Sequence, residues 1–469
     1  MTRRTFTAGL LSNLASAAPP KRPNILFILP DQLRAQALAC NGDPNAHTPH
    51  IDRLASQGLT FHNTIANTPV CCPARANMLT GLYAHKNGMV ANDLRLRESA
   101  VTYPALLAAA GYRTGFIGKW HLDGGARLPG FIPPGPRRHG FQFWAANECS
   151  HTHFNTQYFR DTPQPIPISK FEAEGWTDIA IDFLKQTVSD PRPFFLTVQM
   201  GPPHDPYKAP PEYSRLYDPA QLKLRPNWQP TQGASRQDIA EYYGMITAID
   251  DQVGRLLRTL DDLSISQDTV VILSSDHGDM LGSQGQRLKR KPWDESIRVP
   301  GIVRYPRKTK PNSTSDVFLT HVDFAPTFLG LAGLKPPTLM QGVDLSAVIR
   351  GETSRGPDSA FLQIFGPFDG DGTPGAWRGL RTGHYTYART KENPWLLYDN
   401  LSDPYQRNNL VADRAAIRLL QDMEHRLTQW MRRTADDWSA DWSVKVEDAG
   451  RLYAGKAFYS VQEYLEDHR

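Results

Sequence analysis

Three short hydrophobic runs stand out in the first 275 positions of the chain, and polar residues follow each of them closely. The runs are NILFILP at 24–30, PFFLTVQM at 193–200 and DTVVILSS at 268–275. Each has the length and the Ile, Leu, Val and Phe content of a β-strand that is buried on both faces. The pattern therefore predicts three interior strands.

Helical patterns lie between these runs. The segment TPHIDRLASQG at 48–58 starts with a Thr cap and stops at Gly58, and residues 101–116 indicate a helix, a glycine and then a strand. Residues 176–188 and 239–263 are amphipathic at the helical period. Because strands alternate with helices, the chain predicts an α/β fold with a large, mostly parallel central sheet flanked by helices.

The pattern changes after about residue 350. Residues 377–389 alternate in the manner of a strand, the segment PWLLYDNLSDP follows at 394–404, and residues 413–433 look helical. These features predict a smaller C-terminal α+β unit that contains a short antiparallel sheet. The expected divisions are a main domain at 23–350, a subdomain at 351–434 and an extension at 435–469.

The composition narrows the class of protein. Of the 469 residues, 40% are hydrophobic and 21% are charged, which is typical of globular proteins. The net charge of +4 is small, and no basic stripe indicates nucleic-acid binding. No later segment approaches 18 apolar residues, so we expect no membrane span. Four cysteines are too few for a disulfide framework, and their spacing is wrong for a structural zinc site, although a bond between Cys40 and Cys149 stays open.

The first residues look like a targeting segment. MTRRTFTAGLLSNLASAAPP has a twin arginine, a short apolar stretch and an A-x-A site at 15–17. These features predict a bacterial twin-arginine export signal over residues 1–18 and a periplasmic or secreted protein. The alternative is a disordered N-terminal tail.

Polar side chains follow all three hydrophobic runs. Asp31 and Gln32 come after the first, His204 after the second, and Asp276 and His277 after the third. In open α/β sheets, ligands bind at the carboxyl ends of the strands. Two carboxylates with an amide and an imidazole suit Ca²⁺, Mg²⁺ or Mn²⁺. Taken alone, Asp276 is equally well a turn residue before a glycine.

Six segments together resemble the type I sulfatase family of the alkaline phosphatase superfamily. They are NILFILPDQ, CCPARANMLTG, GKWHL, GPPHDPY, SSDHGDMLG and ESIRVP. The resemblance runs from about residue 23 to residue 410, and its C-x-P-x-R signature is highly specific. It implies an alkaline-phosphatase-like fold and a sulfuric ester hydrolase, similar to arylsulfatases, that releases inorganic sulfate.

The resemblance implies a particular fate for one thiol. In this family the first cysteine of C-x-P-x-R is oxidised to Cα-formylglycine (3-oxoalanine) by a formylglycine-generating enzyme. Pro73 and Arg75 match that motif only when Cys71 is its first residue, so Cys72 is expected to be a small, buried neighbour. The hydrated aldehyde is a gem-diol that attacks the sulfur and displaces the alcohol, and its second hydroxyl then expels sulfate.

The family's other site residues carry over by position. The resemblance implies that Arg75 holds the diol at residue 71 and that Lys119 and His204 contact sulfate. It implies that His121 contacts the diol and acts as the base that expels sulfate. Lys289 would also bind sulfate, with Lys291 as its rival. The implied ligands of the metal, which the resemblance suggests is Ca²⁺ with Mg²⁺ or Mn²⁺ as alternatives, are Asp31, Gln32, Cys71, Asp276 and His277.

Two positions depart from the common pattern of the family. Gln32 stands where many sulfatases have a second aspartate, and His277 stands where some have asparagine. The Asp-Gln form also occurs among sulfatases and among related phosphonate and phosphate-ester hydrolases. The alternative function is therefore the hydrolysis of phosphonate monoesters or phosphodiesters. A non-catalytic sugar- or sulfate-binding relative would need a broken nucleophile motif, whereas this one is intact.

The natural substrate is harder to predict, because specificity in this fold lies in loops and in the C-terminal unit. We expect a sulfated carbohydrate rather than choline sulfate or a free aryl sulfate. The candidate rim comprises residues 148–159, residues 366–377, Trp438 and Trp442, whose aromatic side chains either stack on a sugar or serve packing.

Overall fold

The computed structural model describes residues 22–125, 127–367, 373–442 and 456–467. The predicted export signal at 1–18 lies outside the described residues. Among the helices that are described, none is both long and apolar enough to cross a membrane.

The core of the molecule is an eight-stranded sheet. Its strands are β1 (Asn24–Pro30), β2 (Leu59–Ile65), β3 (Arg113–Lys119), β4 (Phe143–Asn147), β7 (Phe194–Met200), β8 (Thr269–Leu273), β9 (Ile302–Arg304) and β10 (Ser313–Thr320). The strands β5 (Phe154–Tyr158) and β6 (Ile166–Phe171) form a separate hairpin. The spatial order is β10-β2-β9-β8-β1-β7-β3-β4. Only β9 runs antiparallel to its neighbours, so the predicted mostly parallel sheet is confirmed.

The three hydrophobic runs form adjacent strands at the centre of this sheet. β1 pairs in parallel with β7 on one side and with β8 on the other. Alternate residues of β1 point to opposite faces: Ile25 and Phe27 join one hydrophobic cluster, and Leu26 and Ile28 join a second one. Because all three strands run in the same direction, the polar residues that follow them meet at one edge.

Helices cover both faces of the sheet. Up to residue 350 they are α1 (Pro49–Ser56), α2 (Cys71–Thr80), α3 (Ala84–Asn87), α4 (Tyr103–Ala109), α5 (Glu172–Thr187), α6 (Pro211–Ser214), α7 (Arg236–Asp262), α8 (Asp294–Ile297), α9 (His321–Leu331) and α10 (Ser346–Ile349). The helix predicted from residue 176 begins four residues earlier, at Glu172. The long α7 begins after a capping box formed by Ser235 and Asp238.

A second, four-stranded antiparallel sheet follows, as predicted. Its strands are β11 (Ser359–Ile364), β12 (Trp377–Thr382), β13 (Tyr385–Arg389) and β14 (Pro394–Asp399), and they pair in sequence order. Helix α11 (Ile417–Thr434) packs against it, and a short α12 (Val461–Asp467) lies near the end of the chain. The expected division at residues 350 and 351 falls between α10 and β11 and stays a prediction.

The start of the C-terminal extension packs against the small sheet. Arg378 on β12 is fully buried and forms ion pairs with Asp436 and Asp441. The backbone N–H of Trp442 donates to the carbonyl of Phe365 at 3.0 Å. Of the predicted rim aromatics, Trp442 is therefore buried in this region, and the half-buried Trp438 packs its ring against the Arg378 guanidinium. Residues 443–455 are outside the described residues.

The small sheet also supports the loop that carries the predicted Lys289. The indole N–H of Trp377 donates to the carbonyl of Arg290 at 3.2 Å. Arg381 binds Asp294 at 2.8 Å. Burial raises the pKa of Asp294, but the Arg381 guanidinium outweighs it and the pKa falls to about 2. The carboxylate is therefore charged, and the ion pair ties the second sheet to the main one.

Candidate active site

The residues that follow the carboxyl ends of the central strands lie close together, as the alternation of strands and helices in the sequence predicts. Asp31 follows β1 directly, and its backbone N–H donates to the carbonyl of Met200 at the end of β7. The backbone N–H of Gln32 donates to Asp276 Oδ1 at 3.0 Å, across to the segment after β8. These bonds hold both aspartates, fully buried, at one point of the sheet edge.

Helix α2 brings the C-x-P-x-R motif to the same point. The helix begins at Cys71 and ends at Thr80, and Gly81 follows it in the left-handed conformation of a C-terminal cap. Pro73 lies in the first turn, where no backbone N–H is needed within the helix. Asn92 supplies an acceptor for the N–H of Cys72 at 3.0 Å. Cys71 therefore lies at the positive end of a buried helix, which favours negative charge there.

The two adjacent cysteines have opposite surroundings. Cys71 Sγ lies 3.2 Å from Nε2 of His277. Burial raises the pKa of the Cys71 thiol, but nearby Lys289 and other cations outweigh it, so the pKa falls to about 7. Cys72 instead lies beside Asp93, whose N–H donates to its sulfur at 3.3 Å. Burial and the Asp93 carboxylate raise the pKa of Cys72 well above its usual value.

Two buried cations surround Asp31. Arg75 donates to Asp31 at 2.8 Å and to Asp276 at 3.0 Å, and it also donates to the carbonyl of Lys119 at 2.7 Å. The Lys119 ammonium lies 2.7 Å from Asp31 Oδ2. Although burial raises the pKa of Asp31, the Lys119 ammonium and the Arg75 guanidinium hold that pKa well below its usual range. Asp31 is thus an ionised partner of two cations at the centre of the cluster.

Four of the predicted ligands could hold a divalent cation. Ligand atoms of Asp31, Cys71, Asp276 and His277 all lie within 4.8 Å of one another, and all four residues are buried. Among the described residues, Asp31 Oδ1 has no hydrogen-bond partner although it is buried. A buried carboxylate oxygen without a donor is costly, so a cation at this point fits the donor set.

The side chain of Gln32 lies on the other side of the cluster. Its Oε1 accepts from the Lys289 ammonium at 2.6 Å, and its Nε2 donates to Asp279 at 2.5 Å. Asp279 in turn accepts from the Tyr207 hydroxyl at 2.6 Å. The amide therefore contacts Lys289, one of the sulfate-binding candidates, and its role as a metal ligand stays a prediction.

His277 has a defined orientation at this point. Its Nδ1 lies 3.0 Å from the carbonyl of Gly278, which can only accept a hydrogen bond. In the neutral ring the proton is therefore on Nδ1, and the lone pair of Nε2 faces Cys71 and the two aspartates. An imidazole oriented in this way is suited to coordinate a cation through Nε2.

A second group of polar side chains lies beside the carboxylates. The Lys289 ammonium lies 2.7 Å from Nε2 of His204, and the His204 ring stacks on His151 with centroids 4.5 Å apart. His151 Nε2 is 3.4 Å from the Lys119 ammonium. Burial and Lys289 hold the pKa of His204 well below its usual value, so its ring is neutral. Two ammonium groups and two imidazoles together can bind the oxygens of an anionic ester.

The geometry separates the two rival lysines. Lys289 reaches Gln32 and His204, whereas the Lys291 ammonium donates to the backbone carbonyls of Arg287 and Lys289 at 3.3 and 3.2 Å. Lys291 therefore contacts the loop, and Lys289 contacts the cluster.

Replacing Lys289 with methionine should lower kcat/KM for a sulfate ester by about 10²- to 10³-fold, because a buried donor aimed at the reacting anion is lost. Lys291→Met is the matched control: it should change kcat/KM by less than about tenfold and mainly lower the melting temperature. Steady-state kinetics with thermal melting measure both. A larger kinetic loss in Lys291→Met would assign the sulfate contact to that lysine.

His121 lies next to a residue that sequence reasoning missed. Its Nε2 is 3.1 Å from Oδ1 of Asp93, and the two groups lie with the Cys72 sulfur within 4.8 Å of one another. Its backbone adopts a left-handed conformation with φ of 55°. The family-implied contact of His121 with residue 71 stays a prediction.

Other residues of the cluster were also missed. His151 lies in the predicted rim segment 148–159 but was not assigned to the site, and Asp279 lies in the SSDHGDMLG motif without a predicted role. The signal in the sequence that could have indicated a role for these two residues was that both are polar. Cys40 is exposed, Cys149 is buried, and both are free thiols.

Comparisons with known proteins agree with the motifs. A family model described as Sulfatase matches residues 23–334, and one described as N-sulphoglucosamine sulphohydrolase, C-terminal, matches residues 282–433. An ulvan-active sulfatase of Formosa agariphila is 38% identical over 433 residues, which is 91% of this chain and 84% of the relative. An endo-4-O-sulfatase of Bacteroides thetaiotaomicron is 29% identical over 487 residues, covering 90% of this chain and 94% of the relative.

Solved structures give the same result for the fold. A Bacteroides fragilis sulfatase superposes with a TM-score of 0.82 at 30% identity, covering 90% of this chain and 98% of that chain. A phosphonate monoester hydrolase of Agrobacterium radiobacter superposes with a TM-score of 0.72 at 23% identity, covering 88% and 96%. The second similarity shows a shared fold alone.

Proposed function

The chain belongs to the sulfatase family of the alkaline phosphatase superfamily and is a sulfuric ester hydrolase, and we propose that it releases sulfate from a sulfated carbohydrate. The observation that carries this proposal is the buried cluster in which Cys71 meets Asp31, Asp276 and His277. The motif, the strand ends and the helix terminus all deliver their residues to this one point.

The proposed substrate class rests on the relatives and on the charge of the site. One relative is named an ulvan-active sulfatase and another an endo-4-O-sulfatase. Their similarity covers 91% and 90% of this chain. A sulfate monoester carries a single negative charge, and Lys119 with Lys289 can neutralise it. The phosphonate hydrolases are distant neighbours that share the fold, so phosphonate hydrolysis is the second candidate.

We propose that Cys71 is converted to formylglycine by a formylglycine-generating enzyme and that the metal is Ca²⁺. When hydrated and bound beside the metal, this group supplies an oxygen nucleophile. Asp31, Asp276 and His277 would hold the metal, together with Gln32. Two carboxylates favour a hard cation such as Ca²⁺, and metal analysis of the purified protein tests its identity against Mg²⁺ and Mn²⁺.

The chain's own residues have separable tasks in this proposal. Arg75 bridges Asp31 and Asp276 and keeps both carboxylates in place. Lys119 and Lys289 bind sulfate oxygens, and His204, which contacts Lys289 through Nε2, binds beside them. His121 accepts a proton at residue 71 before sulfate leaves. Because these groups are buried, their charges act at low local dielectric, where electrostatic stabilisation is strongest.

A panel of substrates tests the function. We expect sulfate release from sulfated glycans to exceed release from choline sulfate or an aryl sulfate, and we expect little turnover of an aryl phosphonate. Ion chromatography measures sulfate directly. Much faster phosphonate turnover would favour the second candidate.

We also propose export through the signal at 1–18. The same panel is therefore run on periplasmic and cytoplasmic fractions, and activity confined to the cytoplasm would contradict export.

A further inference from the structure

A buried carboxylate lies against the proposed proton acceptor of the active site. Asp93 Oδ1 is 3.1 Å from Nε2 of His121, and the side chains of both residues are 1% exposed. The backbone N–H of His121 donates to the carbonyl of Glu148 at 2.6 Å, which holds the backbone that carries the imidazole in place. The imidazole therefore has one nitrogen directed at a carboxylate within a rigid, buried setting.

The contact determines which nitrogen carries the proton. An ionised carboxylate only accepts hydrogen bonds, so a neutral His121 must donate to Asp93 from Nε2–H. Arg127 supports the ionised form, since its Nε lies 3.0 and 3.1 Å from the two Asp93 oxygens. Burial, Lys119 and Arg127 hold the pKa of His121 well below its usual value, so the ring is neutral before it reacts.

The other ring nitrogen is buried and has no hydrogen-bond partner. Among the described residues, none donates to or accepts from Nδ1 of His121. A buried ring nitrogen without a partner is unusual in a folded protein and needs an explanation. In the tautomer that Asp93 selects, this nitrogen presents a lone pair.

We propose that Asp93 is a positioning residue that holds His121 as the Nε2–H tautomer and leaves Nδ1 as the proton acceptor of the reaction. The inference rests on the proposed function, because it takes His121 to act at residue 71. The O–H bond of the second hydroxyl at residue 71 breaks, an Nδ1–H bond forms, and the ring becomes an imidazolium. The electron pair left on that oxygen forms the aldehyde C=O as the bond from the same carbon to the sulfate oxygen breaks and sulfate leaves. Asp93 stabilises that charge, and the proton passes to water afterwards. The division of tasks is that of a carboxylate behind a catalytic imidazole in a hydrolase triad.

A purely structural role for Asp93 is the competing explanation. Its ion pair with Arg127 and its N–H bond to the Cys72 sulfur also stabilise the loop. Arg127→Gln removes the ion pair and leaves the bond to His121. Comparison of this variant with Asp93→Leu therefore separates the two roles.

The first test reads the tautomer without any turnover. ¹⁵N-labelled histidine spectra of the Cys71→Ala chain should show His121 protonated at Nε2, with the signal identified by its loss in a His121→Gln version. Adding Asp93→Leu should abolish this single tautomer, whereas adding Arg127→Gln should retain it. A His121 protonated at Nδ1, or a tautomer unchanged by Asp93→Leu, would overturn the proposal.

The second test is a double-mutant cycle on sulfate release. With Cys71 intact, Asp93→Leu should lower kcat by about 10²- to 10³-fold, which lies within the range of general acid–base catalysis, with KM changed less than about threefold. In a His121→Ala background, Asp93→Leu should cost less than about threefold more. An equal loss in both backgrounds would assign Asp93 a structural role and refute the proposal.

The two tests fail differently. If the unaltered protein releases no sulfate, the proposed function is wrong, while the spectra still decide how Asp93 orients His121. If Asp93→Leu does not fold, Asp93→Asn is used in both tests, because a neutral amide cannot stabilise an imidazolium in the same way. An Asp93→Asn protein that folds and keeps full kcat would refute the proposal.

Discussion

Replacing Cys71 with alanine should abolish sulfate release, by about 10⁴-fold or more, whereas Cys72→Ala should leave most of it. Cys71 begins α2 and contacts His277 within the cluster of carboxylates. Cys72 has the same chemistry and is also buried, but its sulfur lies beside Asp93. The pair therefore offers a matched control within one dipeptide.

The measurement combines kinetics with the chemical state of residue 71. Sulfate release by both variants is measured after co-expression with a formylglycine-generating enzyme, and mass spectrometry of the tryptic peptide identifies the modified position. The unaltered chain should carry an aldehyde at residue 71 and a thiol at residue 72. Equal loss of activity in both variants, or an unmodified Cys71 in an active protein, would contradict the assignment.

Replacing Asp31 with asparagine should remove the bound metal and lower kcat/KM by at least about a thousandfold. Asp31 provides the buried oxygen that has no hydrogen-bond partner among the described residues. It also lies between the Arg75 guanidinium and the Lys119 ammonium, at 2.8 and 2.7 Å. An amide at this position offers one neutral oxygen and cannot balance both cations.

Metal content per chain, measured by mass spectrometry of the digested protein, checks this result. Asp250→Asn is the matched control, because Asp250 lies in another group of carboxylates and a histidine, with His50 and Asp251. Metal content and activity should not change in that variant. Circular dichroism shows whether both variants fold. An Asp31→Asn protein that keeps its full metal content would exclude this cluster as the metal site. One that loses the metal but keeps its activity would exclude a catalytic role for the metal.

The sequence predicted the centre of the sheet well, because its signal is local. Continuous apolar runs such as 24–30 are typical of strands that are covered on both faces. The residues after these runs then lie at one edge because neighbouring strands are parallel. The choice between Cys71 and Cys72 was equally local, since it depends on the spacing to Pro73 and Arg75.

Contacts between distant segments were not predictable in this way. Asp93 lies in the loop ANDLRL, where nothing in the pattern distinguishes it from a solvated aspartate. It meets His121 only because the chain returns through β3, 28 residues later. His151 likewise reaches His204 from a segment 53 positions away in the sequence (204 − 151).

Alone, the amino-acid sequence determined the family, the parallel sheet at its centre and the frame of the nucleophile motif, since each depends on residues close together in the chain. Only the tertiary structure decided which lysine faces the cluster, which oxygen of Asp31 lacks a partner among the described residues and which carboxylate contacts His121. Those properties depend on distances of about 3 Å between residues that are far apart in sequence. Such distances are set by the packing of the whole sheet.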